Sequence, residues 1–170
     1  DTPTPASAGL MSFDEISVFS GRTGHFDWRL SGKKEMLVPY NNNRFLQVPD
    51  AQIIQGQHLN PDHVRWELHR VWVVEAALKP GRRHQAPKST YYLDEDTWQG
   101  VLGDRGDGKG QLWKTLWGFN YVMPDLPGTA QQTFGYYDLL SGQAYVANVL
   151  NDKPYHHRFT KRWPTDLFTG

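Results

Sequence analysis

The sequence holds seven histidines and no cysteine, so imidazoles and carboxylates are the first candidates for chemistry. The missing cysteine excludes a disulfide framework, thiol catalysis and cysteine-type zinc sites. His58, His63 and His69 lie close together in sequence, and a metal centre needs ligands that converge on one point. Along an extended strand His63 and His69 are roughly 20 Å apart, and Pro61 stands between His58 and His63. One ion does not bridge them, so no metal site and no cofactor is expected. His156 and His157 point to opposite faces if extended. Asp104 and Asp107, with their glycines, lack the alternating acids and distal Glu of a calcium loop. Glu35, Glu67, Glu75, Asp94, Glu95 and Asp96 supply carboxylates, but acid–base catalysis needs a pair flanking one bond, and no spacing selects one. There is no Gly-x-Ser-x-Gly elbow and no phosphate-cradling glycine loop. No catalytic residue is assigned.

The elements that would carry these residues read as strands. From His63 to Gly81 the even positions are Val64, Trp66, Leu68, Arg70, Trp72, Val74, Ala76 and Leu78. Side chains alternate across a strand, so one face is apolar and interrupted by a single arginine. The odd face is polar at both ends and apolar at Val71 and Val73. A helical period separates these residues less well, and tryptophan and β-branched residues favour a pleated surface. Phe26, Trp28 and Leu30 alternate in the same way before Gly32, and Met36, Val38 and Tyr40 after it, where Pro39 marks a strand end or an edge. Ser89–Leu93 and Trp98–Leu102 form a hairpin around Asp94–Thr97. Gly103–Gly110 reads as a polar loop. From Gln111 onward Trp113, Thr115, Trp117, Phe119, Tyr121 and Met123 share one face, and a last hairpin turns at Ser141-Gly142. About seven or eight strands at hairpin spacing, with one or two short helices at most, predict a mainly β fold of antiparallel meander type.

Composition sets the outer bounds. The 170 residues suffice for one domain, and the formal net charge is zero, which gives no pull toward nucleic acid or anionic membrane. Seven tryptophans sit in a chain of mean hydropathy −0.65. No apolar run approaches the roughly 20 residues that span a bilayer. Residues 1–11 read as a disordered leader or linker and residues 12–170 as a single β domain.

Three stretches carry a family resemblance: GKKEMLVPYNNNRF, LNPDHVRWELHRVWVVEAALKPGRRH and STYYLDEDTW. From Ser12 to about Asn151 the chain resembles the second half of an exported Gram-negative family, domain of unknown function 1329, also called outer-membrane lipoprotein-sorting-like. The resemblance implies a strongly curved antiparallel sheet, a half-barrel with an apolar concavity, in a periplasmic protein whose signal peptide is not in this chain. It implies work beside an export pump of the resistance-nodulation-division type. It brings no catalytic residue and no known ligand. Family chains are usually more than twice this long, so a C-terminal fragment is expected, with a sheet edge open to self-association.

On this reading the protein is a non-catalytic binder or carrier of a lipid or other hydrophobic small molecule. Trp66, Leu68, Arg70 and Trp72, with Trp113, Trp117, Phe119, Tyr121 and Met123, line its concave side. Arg70 either anchors a head group or pairs with a neighbouring acid such as Glu35 or Asp27. The stripe from Trp113 to Met123 is equally the face of a filled core. Two alternatives stay open: a hydrolase of lipid-like esters, and a structural envelope protein with no ligand.

Overall fold

Alternating side chains make nine strands: β1 (Phe26–Pro39), β2 (Ile54–Gln55), β3 (His58–Leu59), β4 (Trp66–Leu78), β5 (Lys88–Asp94), β6 (Gly100–Gly106), β7 (Leu112–Met123), β8 (Gly128–Asp138) and β9 (Ala144–Ala147). They are seen in a computed structural model that describes residues 2, 3, 5–7, 10–125, 127–154 and 164–168. Seven of them form one open antiparallel sheet in the order β1-β4-β5-β6-β7-β8-β9, and β2 and β3 make a small separate hairpin. The protein is therefore mainly β, and its helical content among the described residues is confined to short 3-10 turns. Register shifts at Leu30/Gly32, Tyr92/Leu93, Arg105/Gly106 and Gly118/Asn120 bend and twist the strands that carry them.

Each face of the sheet has its own cover. The first face carries Val38, Val71, Tyr92, Leu102, Trp117, Phe119 and Tyr121, which pack with Phe45, Val48, Ile53 and Leu59. Those last four come from the excursion between β1 and β4. Polar ties hold the excursion down. Asn42 bonds both backbone groups of Arg65, and Asn43 bonds both backbone groups of Val122.

The second face carries Phe26, Ala76, Tyr91, Leu116, Phe134 and Tyr136, which pack with Met11 and Val18 from the segment before β1. This cover is held by charge. Arg105 Nη1 donates to Asp14 Oδ2 at 2.6 Å, and the His84 ring nitrogen Nε2 lies 2.9 Å from the same oxygen. Lys114 Nζ donates to Glu15 Oε1 at 2.9 Å. All four partners of these two ion pairs are buried. Ser12 and Glu15 close a capping box, with Ser12 N donating to Glu15 Oε2 at 2.9 Å. The expected leader is tied down in part: Ser7 and Met11 are buried, and Pro3 pairs with Ser12 in an isolated bridge.

One expectation changes. Gly103–Gly110 is not all loop, because β6 runs on to Gly106 and buries Arg105. An arginine reads as a loop residue until its partner is known, and that partner lies 91 residues away in sequence. His156 and His157 lie outside the described residues.

Burial opposes the charge on Asp14, but the hydrogen bond with His84, the Arg105 guanidinium and Ser12 hold its carboxyl well below the usual carboxylate range. A carboxyl depressed in the fold contributes stability that is complete above the unfolded value of about 3.9 and is lost as pH falls below it. Melting curves should therefore show stability falling as pH drops below about 4, and Asp14→Asn should flatten that slope. Lys114→Met leaves Glu15 buried without its cation and should cost roughly 3–5 kcal/mol in chemical denaturation.

Candidate functional site

The residues expected to line one concavity divide between the two faces. Trp117, Phe119 and Tyr121 are buried on the first face beneath Phe45, with ring centroids of Phe45 and Phe119 4.9 Å apart edge to face. Trp113 is half-buried and donates from Nε1 to Asp138 at 3.0 Å, and Met123 ends β7. The middle of the stripe, Trp117, Phe119 and Tyr121, is packed core. Trp66, Leu68, Arg70 and Trp72 point from the second face, since Trp72 pairs with Leu93 while its neighbour Val73 pairs with Tyr92 on the first. The two groups lie on opposite faces of the sheet. The alternation was legible, but the cover of each face was not.

An open apolar groove of about 400 Å³ lies on the second face. Val74, Tyr91, Leu93 and Gly100 form its floor, Trp28 and Trp98 stand at its sides, and Val18 and Phe19 form the wall. Phe19, Trp28 and Tyr91 make an aromatic cluster with centroids 5.2–5.9 Å apart. The Trp28 indole is aimed by donation from Nε1 to Thr23 O at 2.8 Å. Trp98 stacks on Trp72 at 5.7 Å, and Lys33 Nζ lies 4.2 Å from the Trp72 ring centre. Beyond that stack, past Glu35 opposite Arg70, the same face exposes Leu37 opposite Leu68, and then Trp66 opposite the buried Pro39.

Arg70 is paired, but with neither acid expected of it. Its Nε donates to Glu95 at 2.6 Å, and Lys33 donates to the other oxygen of Glu95 at 2.7 Å. These two donors, with desolvation opposing them, leave the Glu95 carboxyl below its ordinary value. Glu95 was the nearer choice because the Asp94–Thr97 turn brings it against β4, where its N–H donates to Arg70 O at 3.2 Å.

The wall depends on glycine. Ser17 and Val18 both have positive φ, 53° and 71°, an unfavourable conformation for a β-branched residue. Val18 is nevertheless 1% exposed, because it is seated on strand positions that carry no side chain. A Cβ on Gly103 would stand 3.1 Å from Val18, and one on Gly118 3.2 Å from it. Sequence reading missed Val18 and Phe19, because a segment of undecided structure offers no face to assign.

A larger depression, about 520 Å³, is lined by Asp27, Arg29, Glu75, Lys88 and Asp104 among others. Arg29 and Ser31 both donate to Glu75 there, and Tyr92 and Thr115 donate to Asp104.

Comparison with known proteins identifies the lineage. Residues 1–170 match the family described as protein of unknown function, DUF1329. The chain belongs to this family. An uncharacterised member from Pseudomonas aeruginosa is 38% identical over 163 residues, which cover 94% of this chain and 35% of that protein. The chain thus spans about a third of the length of that relative. Among solved structures, a domain from Vibrio parahaemolyticus described as an outer membrane lipoprotein-sorting protein is 14% identical with a TM-score of 0.47. It is covered to 41%, over 75% of this chain. A DUF1329 family protein from Desulfovibrio piger is 15% identical with a TM-score of 0.46, covered to 38% over 72% of this chain.

Gly103→Ala crowds Val18 and Tyr91, each 3.1 Å from the new Cβ, and should cost roughly 1–3 kcal/mol. A melting curve reads the loss, and the fluorescence of Trp28 and Trp98 beside the groove should change with it.

Proposed function

We propose that this domain is a non-catalytic binder of a lipid or other hydrophobic molecule, working in the bacterial envelope. The observation that carries the reading is the groove between Val18 and Trp98, which is apolar, open and left unfilled by the protein's own rings. Its volume falls within the range of small-molecule sites, roughly 300–1,000 Å³, and suits a single acyl chain. The envelope setting rests on the resemblance of GKKEMLVPYNNNRF and its companion stretches to an exported Gram-negative family. The site differs from the one the sequence suggested: it uses Trp72 through its stack on Trp98, and not the stripe from Trp113 to Met123.

Arg70 is answered by Glu95, so recognition rests on the apolar floor and not on a charged head group. Arg70→Met should therefore leave acyl-chain affinity unchanged while lowering the melting temperature. Val74→Glu puts a carboxylate on the floor and should weaken binding of a fluorescent fatty acid by at least tenfold, since burying an unpaired charge is costly. Trp98→Ala, at an exposed turn, should weaken it less. Titration of the folded protein with fatty acid and lysophospholipid reads all three. Absence of saturable binding for both probes, with the fold intact, overturns the proposal.

A further inference from the structure

Opposite the groove, at the rim of the first face, three chemistry-bearing side chains converge. His69 on β4, Asp94 at the end of β5 and Asp96 in the following turn offer ligand atoms that all lie within 4.8 Å of one another. Asp94 is fully buried. Its Oδ2 accepts from Thr97 N at 2.9 Å, from Thr97 Oγ1 at 2.8 Å and from the Tyr40 hydroxyl at 3.4 Å. Those bonds fix the carboxylate so that Oδ1 turns toward His69 Nδ1, 4.0 Å away. Oδ1 is buried with no hydrogen-bond partner among the described residues. A buried carboxylate oxygen left this way is costly unless a cation meets it.

The imidazole is equally fixed. Tyr40 stacks on His69 with centroids 3.7 Å apart and planes 22° apart. On the far side of the ring, Nε2 lies 3.2 Å from Glu67 Oε2. Glu67 is itself held by Asn41 Nδ2 at 2.9 Å. A carboxylate that accepts a hydrogen bond from one ring N–H leaves the other ring nitrogen as a lone pair, and metal-binding histidines are oriented in this way. Here the free nitrogen faces the orphaned oxygen of Asp94.

We infer that His69, Asp94 and Asp96 form a binding site for a divalent transition-metal ion, with Glu67 orienting the imidazole from behind. One imidazole and two carboxylates are a donor set suited to Zn²⁺ or Mn²⁺. Donors around Zn²⁺ at about 2.0–2.1 Å lie roughly 3.3 Å apart. The required closing motion is short, and Asp96 is free to make it because it is exposed on the turn. Solvent reaches the remaining positions from that side. The three-histidine spacing that argued against a metal missed this site, because two of its ligands are aspartates that the hairpin turn folds back against β4. The site is independent of the groove, which lies on the other face.

The test is titration of the chelator-treated protein with Zn²⁺ alone, read by melting temperature and calorimetry. A single saturable site should raise the melting temperature by roughly 5–10 °C at a hundredfold excess over its dissociation constant. Asp96→Asn, at an exposed position, should keep the metal-free melting temperature and lower affinity at least tenfold, and His69→Gln should do the same to affinity. Cobalt(II) should give visible absorption bands in the native protein that are lost in both variants. No Zn²⁺-dependent shift, or a shift retained in both variants, overturns the site.

Discussion

The second face of the sheet is usable only because two acids are held against two bases beneath it. Asp14 and Glu15 are adjacent in sequence and meet Arg105 on β6 and Lys114 on β7, which sit opposite one another in the sheet. One short stretch is thereby fastened across two strands. Buried ion pairs of this kind add little net stability over apolar packing; what they supply is position. With Glu15 fixed, the chain turns through Ser17 and Val18 and delivers Phe19 onto Trp28 and Tyr91. The groove wall is a consequence of that fastening.

The fastening also explains why the segment tolerates an unfavourable backbone. Two successive residues in the left-handed region would be abandoned by a free loop. Here one end is pinned by charge and the side chain of Val18 drops among Gly100, Gly103 and Gly118. The glycines, which look like weak points in strands, are the receptor for that side chain. Electrostatics, backbone strain and small residues thus serve one local arrangement, and each is intelligible only with the other two.

The sheet itself was largely legible. The alternation of β7 and β4 is strong because both are long and bounded by turn residues, and the Asp94–Thr97 hairpin follows from its polar tetrad. What escaped was the choice of inside. Trp66 and Leu68 look like core residues, yet they are 45% and 65% exposed, while the first face is closed by Phe45, Val48 and Ile53 from a segment with no clear period. The bulge at Gly32 adds a second ambiguity. It moves Lys33 and Leu37 to the face of Trp28 and Leu30, and puts Met36 and Val38 on the other. Period-two reading carries no information across such a shift. Ion pairs between residues 91 and 99 positions apart leave no local trace at all.

The free edge of β1 follows the same logic of local protection. Among the described residues no strand pairs with the outer side of this fourteen-residue strand, and such a row of backbone groups invites another chain. This one breaks its register at Gly32, whose φ is 110°, carries Lys33, Lys34 and Glu35 in succession, and ends in Pro39. Bulge, charge and proline are the devices that discourage indiscriminate strand addition. They lie in the middle and at the far end of the strand. The stretch from Phe26 to Leu30 keeps regular pairing with Ala76 and Val74 and has only Asp27 and Arg29 to guard it. Any further strand that joins the sheet on this side therefore meets least resistance beside Trp28, at the margin of the groove.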